Sequence, residues 1–227
     1  MKTFHELREG LNDPDIFKAF FLAGGPGSGK SYVAGKTLGG SGLKTVNSDD
    51  AFESLLTKAG LSLKMPPEEE AERDVARARA KSITKARQEN YLEGRIGLII
   101  DGTGKDYEKL TRQSASLQEL GYDTHMLFVN TSLDVALERN KKRARTVPEP
   151  LVVKSWNEVQ NNIGKFQNFF KGNFIVVDNN DAEEDVLTSV FKGVRKMLGK
   201  KVRNHSAKQW VDMEMKRRGI TRKPKGF

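Results

Sequence analysis

Gly24-Gly25-Pro26-Gly27-Ser28-Gly29-Lys30-Ser31 follows an apolar run, Ile16 to Ala23, and precedes a helix-forming stretch that begins near Lys30. A glycine, four residues and then Gly-Lys-Ser is a phosphate-binding loop pattern, and strand–loop–helix is the context that pattern requires. Each residue type has a physical task. Glycines allow positive φ and let backbone N–H groups approach phosphate oxygens with no Cβ between them. The start of a helix adds unpaired N–H donors and a partial positive charge. On this reading Gly25, Gly27, Ser28 and Gly29 cradle a phosphate chain. Lys30 supplies a full charge to the β- and γ-phosphates, and Ser31 offers a hydroxyl to Mg²⁺. ATP with Mg²⁺ is the expected cofactor pair.

Four further apolar runs lie beyond the first: Leu43–Asn47, Ile96–Asp101, Thr124–Asn130 and Asn173–Asp178. Between and after them the patterning predicts helices near 30–38, 50–60, 67–93, 106–120, 132–143, 149–170 and 182–198. Proline and acids at Pro66 to Glu70 suit a first turn, and Gly94 suits a stop. Strands alternating with helices imply an α/β fold with a parallel sheet of about five strands and helices on both faces.

The 227 residues suffice for one such core. The absence of cysteine excludes disulfides and thiolate metal sites and fits a cytoplasmic setting. Met1 to Gly10 shows no signal-like apolar stretch, and every apolar run is strand-sized, so no membrane span is expected. The net charge of +9 is unevenly spread. Residues 192–227 hold 13 Lys and Arg against Asp212 and Glu214, while residues 1–191 are close to neutral. The sequence therefore divides into a body at 1–191 and a basic C-terminal tail at 192–227. A short amphipathic stretch, Trp210 to Met215, interrupts that tail.

Three more signals carry chemistry. Asn47-Ser48-Asp49-Asp50 ends the second apolar run, where a parallel sheet binds its ligands. A carboxylate there faces the γ-phosphate, and Asp49 is the expected base for an acceptor hydroxyl. Asp50 is the second choice and a natural helix cap. Asp101-Gly102-Thr103-Gly104 closes the third apolar run with a carboxylate, close backbone approach and one hydroxyl. It suits acceptor binding as well as metal positioning, and a plain tight turn is the bland alternative. Arg139 to Arg145, ahead of Val147-Pro148, begins on a helix and enters a loop, where a mobile arginine stabilises charge developing on the transferred group. A solvated face at a helix C-terminus explains the same residues otherwise. His5, His125 and His205 lack metal-ligand spacing, and Trp156, Phe166, Phe169 and Phe170 read as packing material.

The order of these signals resembles the zeta-toxin and polynucleotide-kinase branch of P-loop kinases, over residues 15 to 180. Zeta-toxin-like kinases are similar in the loop at Gly24–Ser31, the acidic pair Asp49-Asp50, the acid-Gly-Thr-Gly at Asp101 and a later arginine, Arg143. Polynucleotide kinases are similar at Asn47-Ser48-Asp49-Asp50 and at Arg139 to Arg143 with Val147-Pro148. The resemblance implies that Asp49 is the base, that Arg143 is the transition-state arginine and that Asp101 and Thr103 hold the acceptor. Lys30 is read as catalytic beside them, Arg139 as serving the nucleotide and Asp50 as a further acceptor contact. Two positions depart from it. Phe52 stands where polynucleotide kinases carry an arginine for a nucleic-acid phosphate, and Lys105 stands where zeta toxins carry an arginine. Phage kinases that phosphorylate hydroxymethyluracil in DNA belong to the same branch.

The leading expectation is thus ATP-dependent phosphoryl transfer to a hydroxyl of a nucleic acid, either a 5′-OH or a hydroxymethylated base, with the basic tail contacting the polymer. A nucleotide-sugar kinase (UDP-N-acetylglucosamine) and an ATP-binding module without group transfer are the alternatives. An antitoxin-like protein partner is left open.

Overall fold

The computed structural model describes residues 10–143, 146–181, 183–224 and 226–227. Its centre is a five-stranded sheet in the order β2-β3-β1-β4-β5, with every neighbouring pair parallel. The strands are β1 (Lys18–Ala23), β2 (Lys44–Val46), β3 (Leu98–Asp101), β4 (Asp123–Asn130) and β5 (Phe174–Asp178). The helices are α1 (Lys30–Leu38), α2 (Asp49–Lys58), α3 (Glu70–Glu93), α4 (Tyr107–Glu119), α5 (Leu133–Lys141), α6 (Glu149–Gln160), α7 (Ile163–Phe170), α8 (Glu184–Leu198) and α9 (His205–Arg218). Among the described residues no helix is long and apolar enough to cross a membrane.

The central strand explains why the sheet is covered twice. All six residues of β1 are buried. Phe20 and Leu22 face α1 and α8, joining Val33, Leu38, Val190 and Val194. Ala19, Phe21 and Ala23 face the other way, joining Leu110, Leu117, Phe166 and Phe170. A continuous apolar run with both faces buried is the mark of a parallel strand. A third, smaller core of Phe52, Leu56, Ala76 and Ala80 joins α2 to α3 beyond the sheet edge. Local capping sets several boundaries: Asp106 accepts from Lys109 N at 2.9 Å at the start of α4, and Asn204 accepts from Ser206 N at 2.9 Å at the start of α9.

Two boundaries differ from the sequence reading. The single helix expected over 149–170 is broken at Asn161 and Asn162 into α6 and α7. The buried Asn162 amide turns inward and donates to Gly104 O (3.1 Å) and Lys105 O (2.8 Å), so the break serves a tertiary contact. The second difference is larger. The 191/192 division falls inside α8, and the described residues after it pack on the body rather than trailing from it. Val194, Met197, Leu198, Val202, Ala207, Val211 and Met215 are all buried. Trp210 meets the Phe17 ring edge-on at 5.5 Å, Phe227 does so at 5.9 Å, and Val202 N donates to Gly226 O. Lys18, only 3% exposed, pairs with Asp123 at 2.7 Å and donates to Lys200 O at 2.6 Å, pinning the α8–α9 connection below β1. The charge count hid this because the apolar residues of the segment are spaced one per helical turn among many Lys and Arg.

Candidate active site

At the C-terminal ends of β1, β2 and β3 the chain forms a cleft of about 700 Å³. Strand order reverses between β1 and β3, and such a switch point opens a crevice for a ligand. Gly25, Gly27, Gly29, Lys30 and Ser31 line one side, Asp49, Asp50, Asp101 and Thr103 another, and Arg139 and Arg143 a third. Ser28, 2% exposed, lies beneath, its carbonyl accepting from the Asn179 amide at 2.7 Å. A larger cleft of about 870 Å³ lies away from these residues, between the end of α3 and α9.

The loop between β1 and α1 has no room for side chains. A Cβ on Gly27 (φ +79°) would fall 2.1 Å from Ala136 O, and one on Gly29 (φ +82°) would fall 2.3 Å from Asn179 Nδ2. The backbone therefore turns through left-handed conformations while pressed against α5 and the β5–α8 connection. Gly24 N donates to Thr103 O at 2.9 Å, which ties the loop to the Gly102–Gly104 turn after β3. Lys30 reaches back over the loop and donates from Nζ to Gly24 O at 2.8 Å.

Two charges of the cleft, Lys30 and Asp101, are desolvated, whereas Asp50 and Arg143 are exposed. Burial holds the Lys30 ammonium below its usual range, opposed by the carboxylates of Asp101 and Asp49 and reinforced by Arg143. Burial likewise pushes the Asp101 carboxyl up; Lys30 offsets part of this, while Asp49 and Asp50 add to it. Asp101 Oδ2 accepts from Asn47 Nδ2 at 2.9 Å; the Gly102 N–H lies near the carboxyl and lowers its pKa slightly, yet Oδ1 is buried with no partner in normal hydrogen-bond geometry. Such an orphaned carboxylate oxygen beside Ser31 suits a hydrated divalent cation. Among the described residues no group of three or more His, Cys, Asp or Glu forms a ready-made metal site.

Arg139 and Arg143 have different surroundings. Arg139 donates to Asn179 O (2.7 Å) and Asn180 O (2.8 Å), bracing the β5–α8 connection against the loop. Arg143 stands just beyond α5 on a segment closed at its base by Asn140. That amide donates to Val147 O at 2.7 Å and accepts from Val147 N at 3.0 Å. Arg145, the third arginine of the basic run, lies outside the described residues.

Three contributors were not singled out in the sequence. Asn47 links β2 to Asp101 and also accepts from Asp49 N at 2.8 Å. Asn179 supports the loop from β5. Arg77, on α3, donates to Asp49 Oδ1 at 3.0 Å. Asn47 sat within a motif, but no local pattern marks Asn179 or Arg77. His125 is also more unusual than its spacing suggested. It is 1% exposed, stacked on Phe20 at 4.8 Å, and burial with Lys18 and Lys200 nearby holds its pKa down to about 3. Asn173 stands near the ring, yet neither ring nitrogen has a partner within normal hydrogen-bond geometry.

The fold is shared widely. A gluconokinase from Sinorhizobium meliloti 1021 is similar over 81% of this chain and 94% of its own, at 13% identity and a TM-score of 0.51. A chain of the PezAT chromosomal toxin–antitoxin system of Streptococcus pneumoniae is similar over 79% and 81%, at 15% identity and a TM-score of 0.50. A chain of the Pnkp1/Rnl/Hen1 RNA repair complex is 25% identical over 66% of this chain and 46% of its own, with a TM-score of 0.51. No curated protein matches the sequence. The model of one family, the AAA domain, matches residues 20–165, from the middle of β1 through the cleft to α7. With its all-parallel sheet, its kinase-like phosphate-binding loop and that match, the chain belongs to the AAA domain family.

Proposed function

We propose that the protein is an ATP-dependent phosphotransferase acting on a hydroxyl, with nucleic acid as the acceptor. One observation carries the transfer chemistry: Lys30 and Arg143 face Asp49 and Asp101 across a single cleft fed by the N-terminus of α1. The backbone of Gly25 to Gly29, with Lys30, would bind the phosphates of ATP, and Ser31 with Asp101 would hold Mg²⁺. Bound there, the nucleotide supplies the phosphoryl group and the metal screens its charge. Asp49 takes the proton of the acceptor hydroxyl as that oxygen bonds to phosphorus and the bond to ADP breaks. Arg143 and Lys30 stabilise the charge spread over the transferred group. Asp50 and Thr103, at the other wall, contact the acceptor. The likeness to a chain of an RNA repair complex supports a nucleic-acid acceptor, as does the exposed basic face of α8 and the segment after it, at Lys192, Arg195, Lys196, Lys201 and Arg203.

The test is label transfer from γ-labelled ATP to a panel of single-stranded DNA, hydroxymethylated DNA, RNA and nucleotide sugars, with Lys30→Ala as the inactive control. Label on a nucleic acid supports the proposal, and label on a nucleotide sugar alone replaces the acceptor class. No label on any substrate, with ATP bound normally, would sink the reading of Asp49 as a base.

A further inference from the structure

Arg77 is 28 residues from Asp49 in sequence and belongs to a helix whose composition gave it no distinction. Tertiary packing brings it to Asp49, a residue that lines the cleft. Its Nη1 donates to Asp49 Oδ1 at 3.0 Å, and its guanidinium carbon lies 3.4 Å from the centroid of the Phe52 ring. Phe52 is 1% exposed and belongs to the small core joining α2 to α3. The guanidinium is therefore fixed by a buried ring on one side and a carboxylate on the other. An ordinary surface ion pair between two flexible side chains holds neither in place. A planar guanidinium lying on an aromatic face is different, because the ring sets its plane and the plane sets the direction of its N–H bonds. The Asp49 backbone is held too, through Asn47, to the strand end that carries Asp101.

We propose that Arg77 is a positioning residue for phosphoryl transfer, orienting the Asp49 carboxylate toward the acceptor hydroxyl. The docking of α3 on α2 thereby becomes part of the catalytic geometry. This inference rests on the reading of Asp49 as the base. Its polar contact is with Asp49, so its effect on the reaction is expected to pass through that carboxylate. Loss of alignment by about 1 Å at a reacting group costs on the order of 10²-fold in rate.

The experiment is a double-mutant cycle in the full chain with Asp49→Asn, Arg77→Met and both together. Turnover is read with ATP and a single-stranded oligodeoxynucleotide bearing a free 5′-hydroxyl, and in parallel with water as the acceptor. Binding of a fluorescent ATP analogue and the thermal midpoint are measured for each variant. Arg77→Met should lower kcat about 10- to 100-fold, with KM for ATP and analogue affinity within twofold of the parent. In the Asp49→Asn background the same change should cost less than about twofold, because the group it positions has lost its function. Arg77→Lys, a point charge that does not lie flat on Phe52, should fall between. Should Arg77→Met melt well below the parent, Arg77→Lys carries the same cycle. Parental kcat in Arg77→Met, or an equal loss with and without Asp49, would overturn the proposal. Full turnover in Asp49→Asn alone would instead refute Asp49 as the base.

Discussion

Cutting the chain after residue 191 tests whether the basic C-terminal segment is an appendage or a part of the core. The cut falls within α8 and removes α9 entirely. Among the residues removed, Val194, Met197, Leu198, Val202, Val211 and Met215 are each at most 9% exposed. Burying a side chain of this size contributes about 1.5–3 kcal/mol, so the loss is on the order of 10 kcal/mol. A domain is stable by only about 5–15 kcal/mol in total. The cut also exposes Phe17, now covered by Trp210 and Phe227, and removes the carbonyl that Lys18 uses beneath β1. The 1–191 chain should therefore lack a cooperative thermal transition and should not bind a fluorescent ATP analogue. Circular dichroism melts and analogue titrations on both chains decide the matter. A cooperative melt of 1–191 within a few degrees of the full chain would refute the reasoning. The electrostatic role of the segment is then better read by replacing the exposed Lys192, Arg195 and Lys196 with glutamine. For every DNA phosphate these side chains neutralise, the replacement should flatten the salt dependence of binding by about one unit in the log–log slope.

Arg143→Ala should lower turnover by about 10³-fold while changing ATP affinity far less, since a transition-state cation acts on charge that develops during transfer; pre-steady-state turnover and analogue binding separate the two. Gly27→Ala should weaken nucleotide binding more than tenfold and destabilise the chain by about 2 kcal/mol, because the new Cβ meets Ala136 O at 2.1 Å at a φ of +79°; calorimetric titration and melting measure both. His125 should make the fold acid-sensitive. Its folded pKa is about 3, below the free value of 6.5, so the folded state resists a proton that the unfolded chain accepts. Stability from this group is complete above pH 6.5 and is lost as pH falls toward 3, at up to about 1.4 kcal/mol per unit. His125→Phe, which keeps a ring against Phe20, should flatten the urea-midpoint profile between pH 6.5 and 4.5, and an unchanged slope would contradict this.

The amino-acid sequence by itself determined the parts of this protein that depend on short-range rules. Left-handed turns demand glycine at Gly27 and Gly29, and a continuous apolar run at Ile16–Ala23 demands burial on both faces. Carboxylates at Asp49 and Asp101 reach the cleft because residues at the ends of parallel strands share one edge of the sheet. Those rules operate within a few residues, so the five strands and the placement of Lys30, Asp49 and Asp101 at one edge of the sheet were legible in the sequence, whereas Asn47 in the same cleft was not singled out. Tertiary structure alone decided the rest. Arg77 reaches Asp49 only because α3 docks on α2 through Phe52 and Ala80, a contact with no local signature. Asn162 breaks a helix because two carbonyls after β3 need a donor. Residues 192–227 looked like a charged tail because charge is counted along the chain, whereas burial is a matter of which face of a helix meets Phe17, and only packing sets that face.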